Sequence, residues 1–177
     1  MKKCPAVLAL SALVALPVLA QMPSMPVPGP EHEILKKDVG TWDAEVEMMG
    51  APGAPASVSK GVEKVTMLGG FWQLTEFQSE IMGMPFEGRG ATGFDPAKKK
   101  FVGTWMDSMT PGYYTVEGTY DKVTKTLTAT MEGPDPSGVI TRSKETTVWK
   151  DADTRVFTMY APDGQTVAMR ISYKRRK

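Results

Sequence analysis

The sequence predicts an all-β fold: an antiparallel up-and-down meander of about ten strands closed into a barrel, with one short N-terminal helix. Three observations support this prediction. Apolar and polar residues alternate along most of the chain, as they do in half-buried strands. Turn-forming pairs such as Gly69-Gly70 and Asp95-Pro96 separate the alternating runs. The connections are too short for the crossovers of a β-sandwich, and such a meander removes its open edges by closing on itself.

Residues 1–20 have the features of a secretory signal peptide. Met1-Lys2-Lys3 gives a basic start, and an apolar run follows that is too short to span a bilayer. We expect cleavage near Ala20 and an exported protein, periplasmic or secreted, with no membrane span after signal removal. The only cysteine, Cys4, would leave with the signal. The mature chain is therefore expected to lack disulfides, Cys-based metal sites and Cys nucleophiles.

The rest of the chain is expected to hold a leader and one domain. Residues 21–30 are rich in proline, which favours an extended, disordered segment. Residues 31–177 are long enough to bury a core of their own and are predicted to form a single β-barrel domain.

The charge balance argues against a nucleic-acid-binding function. The full chain has 21 Lys and Arg residues against 20 Asp and Glu residues, and removing Lys2 and Lys3 leaves 19 against 20. A nucleic-acid-binding protein usually carries a basic excess. The basic run at 174–177 is short, and we interpret it as a solvated end. We expect no nucleic-acid partner, and the sequence leaves the oligomeric state open.

A short helix is predicted immediately after the leader. Pro30 suits the first helical position, acidic residues follow in the first turn, and Gly40 ends the segment. Leu35 and Val39 are four residues apart and form the predicted apolar face, with His32 on the same side. The chain then changes from helical to alternating periodicity.

The first predicted strand starts at Thr41 and places four apolar residues, including Trp42 and Met48, on one face, with acidic residues on the other. Nine further strands are predicted at residues 59–68, 71–81, 84–94, 100–108, 112–120, 126–131, 139–150, 155–161 and 165–174. In the strand at 100–108, Phe101, Gly103, Trp105 and Asp107 share one face. Glycines at 88, 90 and 93 in the preceding strand allow the sheet to bend there.

Gly40-Thr41-Trp42, between the helix and the first strand, resembles the Gly-x-Trp signature of lipocalins and related calycin barrels. In that superfamily the tryptophan plugs the closed end of the barrel, and a basic residue from the last strand covers it. The resemblance implies that Trp42 is the plug and that Lys174 or Arg175 covers its ring.

A longer pattern resembles one bacterial family. The segments EHxxLKK, VGTW, GMPFEGRG, GFDPxKKKFVGTWxDSM and DADTRxFxMY are similar to the domain of unknown function 1579 family, whose members are mostly exported single-domain proteins. The resemblance runs from Glu31 to about Tyr173 and implies a calycin-like barrel without supplying an activity. Related nitrobindin-like barrels bind haem through a histidine late in the chain. Because the only histidine here is His32, we expect no cofactor.

The leading functional hypothesis is a barrel that binds a small apolar or amphipathic ligand, since ligand pockets are mostly apolar with few polar anchors. The predicted lining residues are Trp72, Phe86, Trp105, Asp107 and Tyr114. The abundant methionines are interpreted as core or cavity lining rather than a copper site, and no metal site is predicted. We interpret His32 as packing against the barrel end.

Two alternatives stay open. The first is an isomerase or hydrolase that uses one carboxyl group, that of Asp107 or Glu76, although the sequence shows no catalytic motif. Burial among apolar side chains favours the protonated carboxyl, which can then act as an acid or base. Pairing of these carboxylates with arginine would argue against it, and Arg89, Arg142 and Arg170 are the candidate partners. The second alternative is a structural or interaction protein of the cell envelope with a filled barrel.

Overall fold

The computed structural model describes residues 25–51, 53–135 and 137–177. The predicted signal peptide and the first part of the leader therefore lie outside the described residues. One helix and ten strands follow in the described chain: α1 Pro30–Lys36, β1 Gly40–Met48, β2 Ser57–Leu68, β3 Trp72–Ile81, β4 Met84–Asp95, β5 Lys100–Asp107, β6 Tyr114–Asp121, β7 Thr126–Pro134, β8 Ile140–Trp149, β9 Thr154–Tyr160 and β10 Val167–Arg175.

The strands form one closed antiparallel barrel, as the sequence predicts. Each strand pairs with its neighbours in sequence, and β1 also pairs with β10 to close the ring. The predicted strand boundaries differ from the observed ones by at most three residues. The prediction succeeds because every connection is short and each strand shows a period of two.

Alternate residues of every strand point into the barrel, and the space they enclose is called the lumen. Trp42, Ala44 and Val46 of β1 are buried and point inward. Residues directly paired across neighbouring strands share a face, so the pairing register extends this assignment around the ring. Inward positions are even on β1, β4 and β6, and odd on the other strands.

The barrel has two different ends. At the closed end, β1 begins and α1 lies against the sheet with Ile34 and Leu35 buried. At the other end, called the mouth, β1 ends at Met48 and β2 begins. The fully buried hydrophobic residues of the strands concentrate toward the closed end, and they include Trp42, Val65, Phe101 and Trp149. The hydrophobic core therefore lies mainly toward the closed end of the barrel.

The helix is shorter than its predicted apolar face requires. It ends at Lys36, so Val39 lies beyond it and is 40% exposed. Ile34 accompanies Leu35 in the contact with the barrel instead. Gly40 has a φ of +136° and opens β1 rather than ending the helix. A side chain there would meet the guanidinium of Arg175, since an added Cβ lies 2.8 Å from its Nη1.

No helix in the described part of the chain has both the length and the apolar character needed to cross a membrane.

Candidate functional site

Trp42 sits at the centre of the closed end and is 0% exposed. Its indole Nε1 donates a hydrogen bond to the Asp38 backbone oxygen at 2.7 Å. The guanidinium of Arg175 lies 4.1 Å from its ring centroid. Arg175 also donates hydrogen bonds to the backbone oxygens of Lys37 and Val39, so it ties the last strand to the segment after α1. This arrangement makes Trp42 the floor of the lumen.

A buried ion cluster surrounds the inner side of that floor. Arg155 of β9 pairs with Glu63 of β2 and lies 3.4 Å from Asp38. Its guanidinium lies 4.2 Å from the Tyr173 ring centroid and 4.8 Å from that of Trp42. All three charged side chains are less than 8% exposed. Charges buried this deeply persist only when they are paired, and here each carboxylate meets Arg155.

Burial and pairing act in opposite directions on the cluster: burial raises the pKa of Glu63, although Arg155 lies beside it. Desolvation disfavours the charged form of Arg155, but Glu63 and Asp38 outweigh it and raise the pKa of Arg155. Burial and the negative charge of Glu63 raise the pKa of Tyr173 well above its ordinary value. Tyr173 therefore remains a neutral hydrogen-bond donor to Glu63. Since every member has a partner within the cluster, the chemistry of this end is structural.

The mouth half of the lumen differs from the closed end. Inward-facing side chains there are half-buried rather than buried: Met48, Phe86, Trp105, Tyr114, Met131, Ser143, Glu145, Phe157, Met159 and Met169. In a closed barrel, an inward-facing side chain gains solvent exposure only through the lumen or its mouth. We call this half-buried part of the barrel interior the cup.

Trp105 forms part of the cup wall and lies across two glycines. A Cβ added at Gly88 would stand 2.1 Å from Trp105 Cζ2, and one at Gly90 would stand 3.0 Å from Cε3. The glycines therefore make room for the indole on the inner face of β4. Trp105 Nε1 donates to Asp107 Oδ2 at 3.2 Å, and the Met109 backbone N–H donates to Oδ1 at 3.0 Å. Asp107 thus orients Trp105 at the mouth.

Tyr114 continues the aromatic wall on the next strand. It pairs with Trp105 across the β5–β6 register, and its ring fills the space beside Gly133, where an added Cβ would stand 2.4 Å from Cδ1. Its hydroxyl donates to Thr110 Oγ1 at 3.1 Å. Phe86 packs against the upper edge of the core, 6.1 Å from Phe77 between ring centroids. These aromatics give one side of the mouth a rigid apolar surface.

Glu145 places a carboxyl group in the accessible part of the lumen. Its neighbours across the β7–β8 and β8–β9 pairs are Ala129 and Met159, neither of which can pair with a charge. Its side chain is half-buried within the barrel. This burial raises the pKa of Glu145 from 4.5 to about 7. No other influence on Glu145 is found among the described residues.

The wall beside Glu145 is made of thioethers on one side and small residues on the other. Glu145 pairs with Met159 on β9, Met159 pairs with Met169 on β10, and Met169 pairs with Met48 on β1. Three methionines therefore lie next to Glu145 on consecutive strands. In the other direction the register leads to Ala129 and then to Gly118. The methionines give the wall beside Glu145 a flexible apolar surface.

The remaining residues predicted from the sequence lie outside the lumen. Trp72 is on the outer face of β3, where it packs over Gly93 and is 42% exposed. Glu76 is on the same outer face, 4.0 Å from Arg89. Lys174 is exposed and points away from Trp42, so of the two residues predicted to cover the ring only Arg175 does so.

The other two arginines named as possible partners also pair elsewhere on the outer wall. Arg142 contacts Glu132, and Arg170 lies 3.4 Å from Glu47. The Asp107 carboxylate is held instead by Trp105 and a backbone N–H.

His32 is buried in the contact between α1 and the barrel. Its Nδ1 accepts the Gly29 backbone N–H at 2.9 Å, and its ring stands edge-on to Phe71 and Phe94. These contacts hold α1 across the closed end. Among the residues described, no group of three His, Cys, Asp or Glu side chains is arranged to hold a metal ion.

Glu145 and Arg155 are not among the site residues that the sequence predicts. Each had a signal: Glu145 lies four residues before Trp149 and Arg155 two before Phe157, so both share a strand face with a large aromatic. A charged residue in register with buried aromatics indicates a lumen or a buried ion pair. This pattern identifies an inward-facing charge only when the inward face of the strand is known.

Two concave surfaces lie away from the cup. One, of about 390 Å³, runs beside α1 and is lined by apolar Ile34 and Phe101 together with Glu31, Lys99 and Lys122. The other, of about 580 Å³, is bordered by outward-facing charged residues such as Asp43 and Lys174. The first lies outside the barrel and the second is bordered mainly by outward-facing residues, so we place the candidate site in the lumen.

Comparisons with known proteins agree with this fold. A family model described as "Protein of unknown function (DUF1579)" matches residues 27–175. The crystal structure of Rv2717c from M. tuberculosis superimposes with a TM-score of 0.62 at 12% sequence identity, covering 85% of this chain and 100% of that one. At this identity the likeness shows the fold alone. No curated protein matches the chain.

Proposed function

We propose a ligand-binding function for this chain, which belongs to the family described as "Protein of unknown function (DUF1579)". The ligand is a small amphipathic molecule that enters through the mouth and occupies the upper lumen. One observation carries this proposal: the inward-facing side chains near the mouth are half-buried inside a closed barrel, whereas the largest fully buried side chain, that of Trp42, lies at the closed end. A lumen that is packed below and accessible above is a container.

The lining supports an amphipathic rather than a purely polar ligand. Methionines, Phe86, Phe157 and the Trp105–Tyr114 wall supply apolar surface, as ligand pockets generally do. Methionine side chains adapt to ligands of different shape. Glu145 is the inward-facing carboxyl group of β8, and Ser143 lies on the same face of that strand.

The exported location remains part of the proposal. The basic start and short apolar run of residues 1–20 support it, and those residues lie outside the described structure. In that setting the protein would carry or sequester its ligand outside the cytoplasm.

The experiment is a fluorescence titration with N-phenylnaphthylamine, a neutral apolar probe whose emission rises in apolar surroundings. Wild-type protein should enhance the probe emission saturably at one site. Met131→Trp adds a large side chain to the lumen and should abolish the enhancement. Thr130→Trp places the same side chain on the exposed outer face one residue away and should leave it unchanged.

The proposal fails if the wild-type protein does not enhance the probe emission. It also fails if Met131→Trp and Thr130→Trp behave alike while circular dichroism shows both to be folded, because the probe would then bind outside the barrel.

A further inference from the structure

We propose that the ligand carries a basic nitrogen, and that the Glu145 carboxylate binds this protonated amine inside the lumen. The inference rests on the proposed function, because it names the class of molecule that the same cavity takes. It makes Glu145 the specificity-determining residue of the barrel.

The position of Glu145 carries the argument. A carboxylate that is only structural in a protein interior is paired, as Glu63 and Asp38 are with Arg155. Glu145 is enclosed by the wall, points into the accessible lumen and has no such partner among the described residues. Burying a polar group in this way costs stability, and a cationic ligand would supply the missing partner.

The other titratable groups that face the lumen are already engaged. Arg155, Glu63 and Tyr173 belong to the buried cluster, and Arg175 donates to backbone oxygens at the closed end. At the mouth, Asp107 accepts the Met109 backbone N–H, and the Tyr114 hydroxyl donates to Thr110. Tyr120 packs against Trp149 near the closed end, with ring centroids 5.6 Å apart. The strands on either side of β8 present Ala129, Met131, Phe157 and Met159 inward near Glu145.

This charge distribution selects against anionic ligands such as fatty acids. Within the described residues, no lysine or arginine points into the upper lumen, because both inward arginines are bound at the closed end. An anionic head group would meet the Glu145 carboxylate and find no cation. An ammonium group would meet a carboxylate, and nearby aromatic faces such as Trp105 add a cation–π surface at the mouth.

The apolar part of the ligand has a defined place. Met159, Met169 and Met48 lie in one register row with Glu145, on three consecutive strands. A chain or ring attached to the amine would lie along these thioethers. The cup therefore fits an amphipathic amine with its charged end at β8.

The test compares three probes of one chain length: dodecylamine, dodecanol and dodecanoate. Each is titrated at about pH 8 as a competitor of N-phenylnaphthylamine, where most Glu145 is ionised. We expect dodecylamine to bind about tenfold more tightly than dodecanol, as a charge-assisted hydrogen bond provides. Dodecanoate should bind most weakly.

The variant Glu145→Gln keeps the shape of the side chain and removes its charge. It should weaken dodecylamine binding about tenfold and leave dodecanol binding within about twofold. Glu45→Gln removes an exposed charge from the outer face of β1 and should change neither. Wild-type affinity for dodecylamine should also fall as the pH drops below about 7, and that dependence should vanish in Glu145→Gln.

The outcomes separate the inference from the function beneath it. The amine proposal is overturned if dodecanol displaces the probe but dodecylamine binds no more tightly than dodecanol. It is also overturned if Glu145→Gln weakens the binding of both molecules equally. In either case the proposal that the barrel binds a ligand is retained. If none of the three probes displaces N-phenylnaphthylamine, and that probe itself does not bind, both proposals fall.

Discussion

The indole of Trp105 occupies the space that a side chain at Gly88 would need. An added Cβ at Gly88 would stand 2.1 Å from Trp105 Cζ2, far inside van der Waals contact. The two residues are diagonal neighbours on the same face, since Trp105 pairs directly with Gly90, two residues from Gly88. The shape of the cup wall therefore depends on a glycine in β4 and a tryptophan in β5 together.

Gly88→Ala should destabilise the protein by about 1–3 kcal/mol, because the indole must move to avoid overpacking. The measurement is urea unfolding of four proteins: wild type, each single variant and Gly88→Ala/Trp105→Ala. In the Trp105→Ala background the alanine at 88 should be neutral or stabilising, since alanine costs less conformational entropy than glycine. Equal costs in both backgrounds would show that the contact is not the cause.

Arg155→Met should destabilise the protein by about 3–5 kcal/mol, because it leaves Glu63 and Asp38 buried without their counter-charge. Chemical unfolding at neutral pH measures the loss. Arg142→Met is the control: it removes an arginine from a surface pair with Glu132, where the side chain is 75% exposed, and should have little effect. If both variants lost equal stability, the cluster would not depend on buried charge.

The pH dependence of stability should contain a contribution from Glu145. Its pKa is about 7 in the folded protein and 4.5 ordinarily, so protonation favours the folded state. This contribution is fully present below about pH 4.5 and is lost as the pH rises through about 7. At about 1.4 kcal/mol per pKa unit, the loss is at most about 3 kcal/mol.

Unfolding of wild type and Glu145→Gln at several pH values measures this term. The difference in unfolding free energy between them should shift in favour of Glu145→Gln between about pH 5 and pH 8. A difference that stays constant over this range would mean that Glu145 is solvated like a surface carboxylate.

Trp72 and Trp105 should respond differently to the same substitution, because one lies outside the barrel and the other inside. Trp72→Phe should leave N-phenylnaphthylamine affinity unchanged, and Trp105→Phe should lower it about fivefold, or about 1 kcal/mol, by removing apolar contact. Fluorescence titration of both variants checks this. Loss of affinity in Trp72→Phe alone would place the binding site on the outer wall.

The fold was predictable because its signals are local. Alternation, tight turns and the position of Gly40-Thr41-Trp42 together specify a barrel with Trp42 at one end. The face shared by Phe101, Gly103, Trp105 and Asp107 is inward, in agreement with the period of two.

The site was less predictable because the residues that face the lumen are not all apolar, so alternation of apolar and polar residues does not identify them. Trp72 and Phe77 are both aromatic, yet they lie on opposite faces of β3. The sequence does not say which of them points inward, because that depends on the register with β2 and β4. Glu145 occupies an inward position where a packed core would require an apolar residue. Only the assembled barrel distinguishes it from a surface glutamate.

The most direct test of an accessible upper lumen is chemical labelling of single cysteines. In a Cys4→Ser background, Ser143→Cys points into the upper lumen, Val65→Cys into the packed end and Thr104→Cys to the outside. A small methanethiosulfonate reagent should label Ser143→Cys and Thr104→Cys in the folded protein while leaving Val65→Cys unmodified. If Ser143→Cys is as protected as Val65→Cys, the barrel is filled throughout, which would contradict the cup and the binding function based on it.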